Sequence, residues 1–130
     1  MNVKVKELLK RISDNDPTLT TLRLNGGIWL YQDDTRALAK ALATNTTLKT
    51  LGLCYNRVGI EGACALAEAL AINKTLNTLE LTINYIGLTG VRALAKALTR
   101  NTTLKSLDLE ENDIGPDGAC ALAEALTRNT

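Results

Sequence analysis

Leu48, Leu76 and Leu104 stand 28 residues apart, and so do Leu42, Leu70, Leu98 and Leu126. A period of that length, sustained over most of a chain, admits few folds. Each period is one supersecondary unit that cannot bury its apolar face alone, so successive units must stack. In register, the units span residues 17–45, 46–73, 74–101 and 102–129. The first is one residue longer, because 29 residues separate Leu19 from Leu48. Each unit opens with a two-residue alternation, as where Leu51 and Leu53 interleave with Thr50, Gly52 and Cys54, which marks a strand with one buried face. The period then changes. Val91, Leu94 and Leu98 fall on one side of a helix, with Ala93, Ala95 and Ala97 raising helix propensity between them. The chain is therefore expected to be α/β, one strand and one helix per unit.

The repeated string is L-x-x-L-x-L-x-x-N-x-I/V, seen in Leu104, Leu107, Leu109, Asn112 and Ile114. It resembles the ribonuclease-inhibitor-like class of leucine-rich repeats over residues 17–129. That resemblance implies a curved solenoid, a right-handed β-α superhelix with a concave parallel sheet and convex helices. It also implies a ladder of Asn56, Asn84 and Asn112, each side-chain amide bonding the backbone of the turns. The first repeat has Asn25-Gly26-Gly27-Ile28-Trp29 there and no matching Asn, so the ladder should begin in the second repeat. Asn45, Asn73 and Asn101 close the helices, where a left-handed Asn cap is expected. Lys40, Glu68, Lys96 and Glu124 share one repeat position with alternating sign, which suggests a charge ladder along the helices.

The two ends differ. In residues 1–16, Val5, Leu8, Leu9 and Ile12 form a helical stripe, and Ser13-Asp14-Asn15-Asp16-Pro17 stops the helix. This is the pattern of a capping helix over the first repeat, ahead of a repeat region at residues 17–130. The string RISDNDPTLTTLRLN resembles the entry into the leucine-rich domain of tropomodulins, which cap actin filament pointed ends. At the other end the last helix reads like an interior one, so the strand of Leu107 and Leu109 is expected to have an open edge. End-to-end association as a homodimer follows as an expectation.

Little in the chain points to chemistry. It has no His, its two serines (Ser13 and Ser106) lie outside any G-x-S-x-G, and no phosphate-binding glycine loop occurs. Cys54, Cys64 and Cys120 lack zinc spacing, and Cys64 and Cys120 read as small packing residues. No catalytic, cofactor or metal residue is expected, and the chain is read as not an enzyme. A net charge of +1 argues against a nucleic-acid partner, and no apolar run is long enough for a membrane span. Three cysteines without a secretion signal suggest a reducing, cytoplasmic setting. The Asn-x-Thr triplets at Asn45, Asn73 and Asn101 read as structural elements of the repeat rather than glycosylation sites.

The remaining candidate is the concave face. Strand alternation turns outward Arg23 and Asn25, Cys54, Glu80 and Thr82, and Asp108 and Glu110, with Tyr55 at the sheet edge. The row Arg23, Gly52, Glu80, Asp108 varies while the leucines stay constant, as suits a surface that displays contacts. Acidity rises toward its C-terminal end, which favours a basic surface on a protein partner. Trp29 and Tyr31, in the irregular first turn, read either as interface anchors or as local packing against the capping helix. The leading expectation is a non-enzymatic protein–protein interaction scaffold. The alternatives are an actin-capping module of the tropomodulin kind and a minimal repeat scaffold without a natural ligand.

Overall fold

The computed structural model describes residues 2–26 and 30–129. A helix, α1 (Val3–Ser13), comes first. Four strand–helix units follow: β1 (Thr21–Arg23) and α2 (Gln32–Thr44), β2 (Thr50–Gly52) and α3 (Gly59–Ile72), β3 (Thr78–Glu80) and α4 (Gly87–Leu98), β4 (Ser106–Asp108) and α5 (Gly115–Arg128). The strands pair in chain order as one parallel sheet, and Leu22, Leu51, Leu79 and Leu107 align across it. This is the leucine-rich-repeat solenoid that the period required.

Burial follows the stacking. Leu48, Leu51 and Leu53 of the second unit, and Leu76, Leu79 and Leu81 of the third, are completely buried. Their counterparts Leu104, Leu107 and Leu109 in the fourth are only half-buried. The residue type and backbone are the same in each case. What differs is whether a unit lies on both sides. At the other end α1 packs against α2 and buries Val5 and Ile12.

The helices approach closely because Gly62, Gly90 and Gly118 carry no side chain. At Gly90, a Cβ would sit 2.5 Å from Ile86 Cγ2 and 3.0 Å from Ala63 Cβ on the neighbouring helix. Three positions beyond each strand stands a left-handed residue, Gly26, Tyr55, Ile83 or Glu111, with φ of 59°, 61°, 53° and 52°. Three of these four are not glycine, and left-handed backbone is most costly for the β-branched Ile83.

Two asparagine ladders hold these turns. The first is the expected one. Asn56, Asn84 and Asn112 are buried, and their Nδ2 atoms donate to Leu24, Leu53 and Leu81 carbonyls of the preceding unit at 2.8, 2.8 and 2.7 Å. It begins in the second unit. Asn25 stays exposed and instead accepts a bond from Cys54 N on Oδ1.

The second ladder corrects an expectation. Asn45 and Asn73 end their helices in extended backbone, with φ and ψ of −69° and 138° and of −62° and 135°, not in a left-handed cap. Asn101 stands beyond the cap of α4, which is Thr99. The extended form lets each side chain do two jobs. Asn73 Oδ1 accepts from Thr75 N and Leu76 N, while Nδ2 donates to the Leu42 and Asn45 carbonyls one unit back. Asn101 repeats this against Leu70 and Asn73, and Asn129 Nδ2 against Leu98 and Asn101. A left-handed cap would satisfy the helix carbonyls through the backbone alone and leave a buried amide unpaired. With Asn45, Asn73 and Asn101 buried in this way, the Asn-x-Thr triplets are structural in the fold.

Two smaller expectations also change. None of Lys40, Glu68, Lys96 and Glu124 takes part in an ion pair among the described residues; the inter-helix pair joins Arg36 to Glu61 instead. Neither cysteine is fully packed: Cys64 is half-buried on the outer side of α3, where it lines the grooves toward α2 and α4, and Cys120, at the equivalent position of α5, is exposed.

Two outcomes follow from this architecture. Leu79→Ala, cut from a site enclosed on both sides, should cost about 2–5 kcal/mol, and Leu107→Ala about half as much, as read by urea denaturation. Equal costs would mean that burial is not shared between units. The second concerns Asp16, which fastens the turn after α1. Hydrogen bonds from Thr18 and Arg11 lower its pKa from 3.8 to about 2. A depressed carboxylate stabilises the fold above its unfolded value and loses that contribution as pH falls through the folded one. Asp16→Asn should therefore be less stable at neutral pH. Its deficit should shrink between about pH 4 and pH 2 in thermal melts.

Candidate functional site

The concave face has two unlike halves. In the first, Arg23 at the end of β1 reaches across β2, and its Nε donates to Glu80 Oε1 on β3 at 2.8 Å. This is possible because Gly52 lies between them. A Cβ there would stand 2.8 Å from Glu80 Oε1 and 2.9 Å from Arg23 Cγ. Gly52 is buried under the pair. Arg23 and Glu80, both expected to meet a partner, are thus brought together and bind each other. Asn25 joins the same cluster, 3.3 Å from the Gly52 Cβ position, and Cys54 beside it is a half-buried free thiol.

The second half is open and acidic. Asp108 Oδ1 accepts Glu110 N at 3.0 Å, a local turn that leaves Asp108 half-buried and Glu110 exposed. The carbonyls of Thr82 and Glu110 are taken up by the turns, accepting Tyr55 N and Ile83 N. The Thr82 side chain is half-buried, and the Tyr55 side chain is 57% exposed at the edge. The rise in acidity toward the C-terminal end is sharper than the sequence alone indicates, because Arg23 compensates Glu80, whereas among the described residues no ion pair involves Asp108 or Glu110.

Trp29 lies outside the described residues. Tyr31 is the N-cap of α2, where its backbone N donates to Asp34 Oδ2 at 3.2 Å. Its ring is exposed and lines a groove of about 600 Å³ with Gln32, Arg57, Gly59, Ile60 and Tyr85. The groove follows the turns that lead from strands into helices. The sequence reading missed Tyr85, a turn residue that strand alternation does not reach, and Ile60, the second residue of α3. Three exposed tyrosines in a chain with no Phe were the available signal. Among the described residues, no group of three or more His, Cys, Asp or Glu side chains is placed to hold a metal ion, and no helix is long and apolar enough to cross a membrane.

A family model described as the TMOD/LMOD leucine-rich domain matches residues 1–104, and a leucine-rich repeat model matches residues 100–123. The chain belongs to the tropomodulin/leiomodin leucine-rich domain family. The likeness first seen in the stretch from Arg11 to Asn25 thus extends through three of the four repeats. A solved structure titled leiomodin-1 actin-binding site 2 superposes with a TM-score of 0.91 at 29% identity, covering 99% of this chain and 76% of that one. The tropomodulin C-terminal domain from Caenorhabditis elegans shares the fold with a TM-score of 0.63 at 15% identity, over 98% of this chain and 93% of that one. No curated protein sequence matches the chain. These relatives lend no support to the expected end-to-end homodimer. In this family member the face in question, around Leu104, Leu107 and Leu122, is half-buried, with Leu126 exposed.

The Arg23–Glu80 pair is solvent-exposed and should contribute little to stability. Arg23→Ala should change the unfolding free energy by less than about 1 kcal/mol in urea titration. A loss well above that would make the pair a structural clamp rather than a surface feature.

Proposed function

We propose that this chain is a non-enzymatic actin-binding module of the tropomodulin/leiomodin kind, working in the cytoplasm. The observation that carries the reading is the superposition on leiomodin-1 actin-binding site 2 along nearly the whole chain. The family match over residues 1–104 supports it. In this reading residues 1–16 act as a capping helix and residues 17–130 as the binding solenoid. Actin is engaged at the open half of the concave face and the adjoining turns, by Asp108, Glu110, Thr82 and Tyr55, with Tyr31 as an anchor at the rim. Arg23, Asn25, Cys54 and Glu80 set the charge and shape of the neighbouring half.

The physical logic is that of a rigid display surface. The leucines and asparagines hold the turns in place, so exposed side chains are presented with little ordering cost on binding. Exposed tyrosines supply contact area, and carboxylates favour a basic patch on the partner.

Co-sedimentation with filamentous actin, together with pointed-end elongation from capped seeds, tests the reading. The wild-type chain should bind actin or slow elongation. Tyr55→Ala combined with Glu110→Lys should weaken that effect at least about tenfold with the melting temperature unchanged. A wild-type chain that neither sediments with actin nor alters elongation would sink the actin reading and leave the broader one, an interaction scaffold for another protein.

A further inference from the structure

The outer faces of the four repeat helices are not alike. On α2 the outward positions one turn apart carry Arg36 and Lys40, and on α4 Arg92 and Lys96. On α3 the same track reads Ile60, Cys64, Glu68, Ile72. Ile60 is 47% and Ile72 60% exposed, where a surface helix normally presents charge. Glu61 and Glu68 are the only charged residues of this helix, and Glu61 is taken up by Arg36 of α2.

A groove borders α3 on each side. The one toward α2 has a volume of about 640 Å³ and a floor of alanines, Ala39 and Ala43 facing Ala65 and Ala69. The one toward α4, about 380 Å³, has Ala67 and Ala71 facing Ala93 and Ala97. The outer rims are basic, with Lys40 on one side and Lys96 and Arg100 on the other, against Glu68 on the central ridge. Ile60 also lines the groove of Tyr31 and Tyr85, so the apolar track continues to the rim of the turns. From Ile60 to Ile72 the ridge runs about 18 Å at 1.5 Å per residue.

We propose that the outer face of α3 docks an amphipathic helix of a partner protein, three to four turns long, with an apolar stripe flanked by carboxylates. The length matches the ridge. The apolar stripe covers Ile60 and Ile72, and the alanine floors admit its side chains closely. The carboxylates meet Lys40, Lys96 and Arg100. This surface lies on the side of the solenoid away from the sheet, and the proposal does not depend on the actin reading.

The test uses a fluorescein-labelled helical peptide of about 14 residues, four turns, with leucines one turn apart along one face and glutamates on both flanks. A second peptide has lysine in place of every glutamate. Fluorescence anisotropy should show saturable micromolar binding of the acidic peptide. Binding of the basic one should be at least about tenfold weaker. Ile72→Glu should reduce affinity for the acidic peptide at least about tenfold, and Lys40→Glu with Lys96→Glu should do likewise. All three sites are exposed, so melting temperatures should hold, and actin co-sedimentation of Ile72→Glu should equal wild type. No saturable binding, equal binding of both peptides, or an unaffected Ile72→Glu variant would overturn the proposal. So would mass doubling in analytical ultracentrifugation that Ile72→Glu abolishes, which would assign the face to a second copy of the chain.

Discussion

The lateral sharing of leucine side chains between neighbouring coils governs everything else in this molecule. Leu51 and Leu79 reach zero exposure because each is closed off from both sides, whereas Leu107, in the same backbone setting, remains half-buried. A three-residue strand cannot organise a core by itself. Four of them in one register can, provided that the turns between them follow the same path each time. That proviso is met by polar groups. Asn56, Asn84 and Asn112 fix the exits from β2, β3 and β4, Asn45, Asn73 and Asn101 fix the entries to those strands, and Asn129 repeats the bond after α5. Apolar burial supplies the driving force, and the two amide ladders set the pitch.

Much of this was legible in the chain because repetition works as an internal comparison. Leu48, Leu76 and Leu104 reveal a unit by recurring, and the unit's own alternation reveals its strand. The start of the first ladder in the second unit could be read from a missing Asn. The conformation of Asn45 and Asn73 could not. An asparagine at a helix end is compatible with both a left-handed cap and an extended one. The choice is decided by carbonyls about 30 residues away in sequence, that of Ile12 in α1 for Asn45 and those of Leu42 and Asn45 in the first unit for Asn73.

The candidate site was less legible than the fold, for a related reason. Strand alternation assigns a face correctly, and it placed Asp108 and Glu110 on the open side. It does not say which outward residues meet each other. Arg23 and Glu80 lie 57 residues apart on strands that are not neighbours, and only the bare Gly52 between them lets their side chains touch. The row Arg23, Gly52, Glu80 held that information, since a glycine between opposite charges is an unobstructed path. Turn residues such as Tyr85 obey neither the strand nor the helix period, and so they appeared only in three dimensions.

Gly52 has a consequence for how such a surface diversifies. With no side chain there, the guanidinium of Arg23 is turned inward along the sheet, and that stretch of the face is electrically quiet. Any side chain at position 52 would part the two groups, presenting a cation on one coil and an anion two coils on. A single neutral substitution would thereby rewrite the sign pattern that a partner meets, with every charged residue and every leucine of the scaffold left in place.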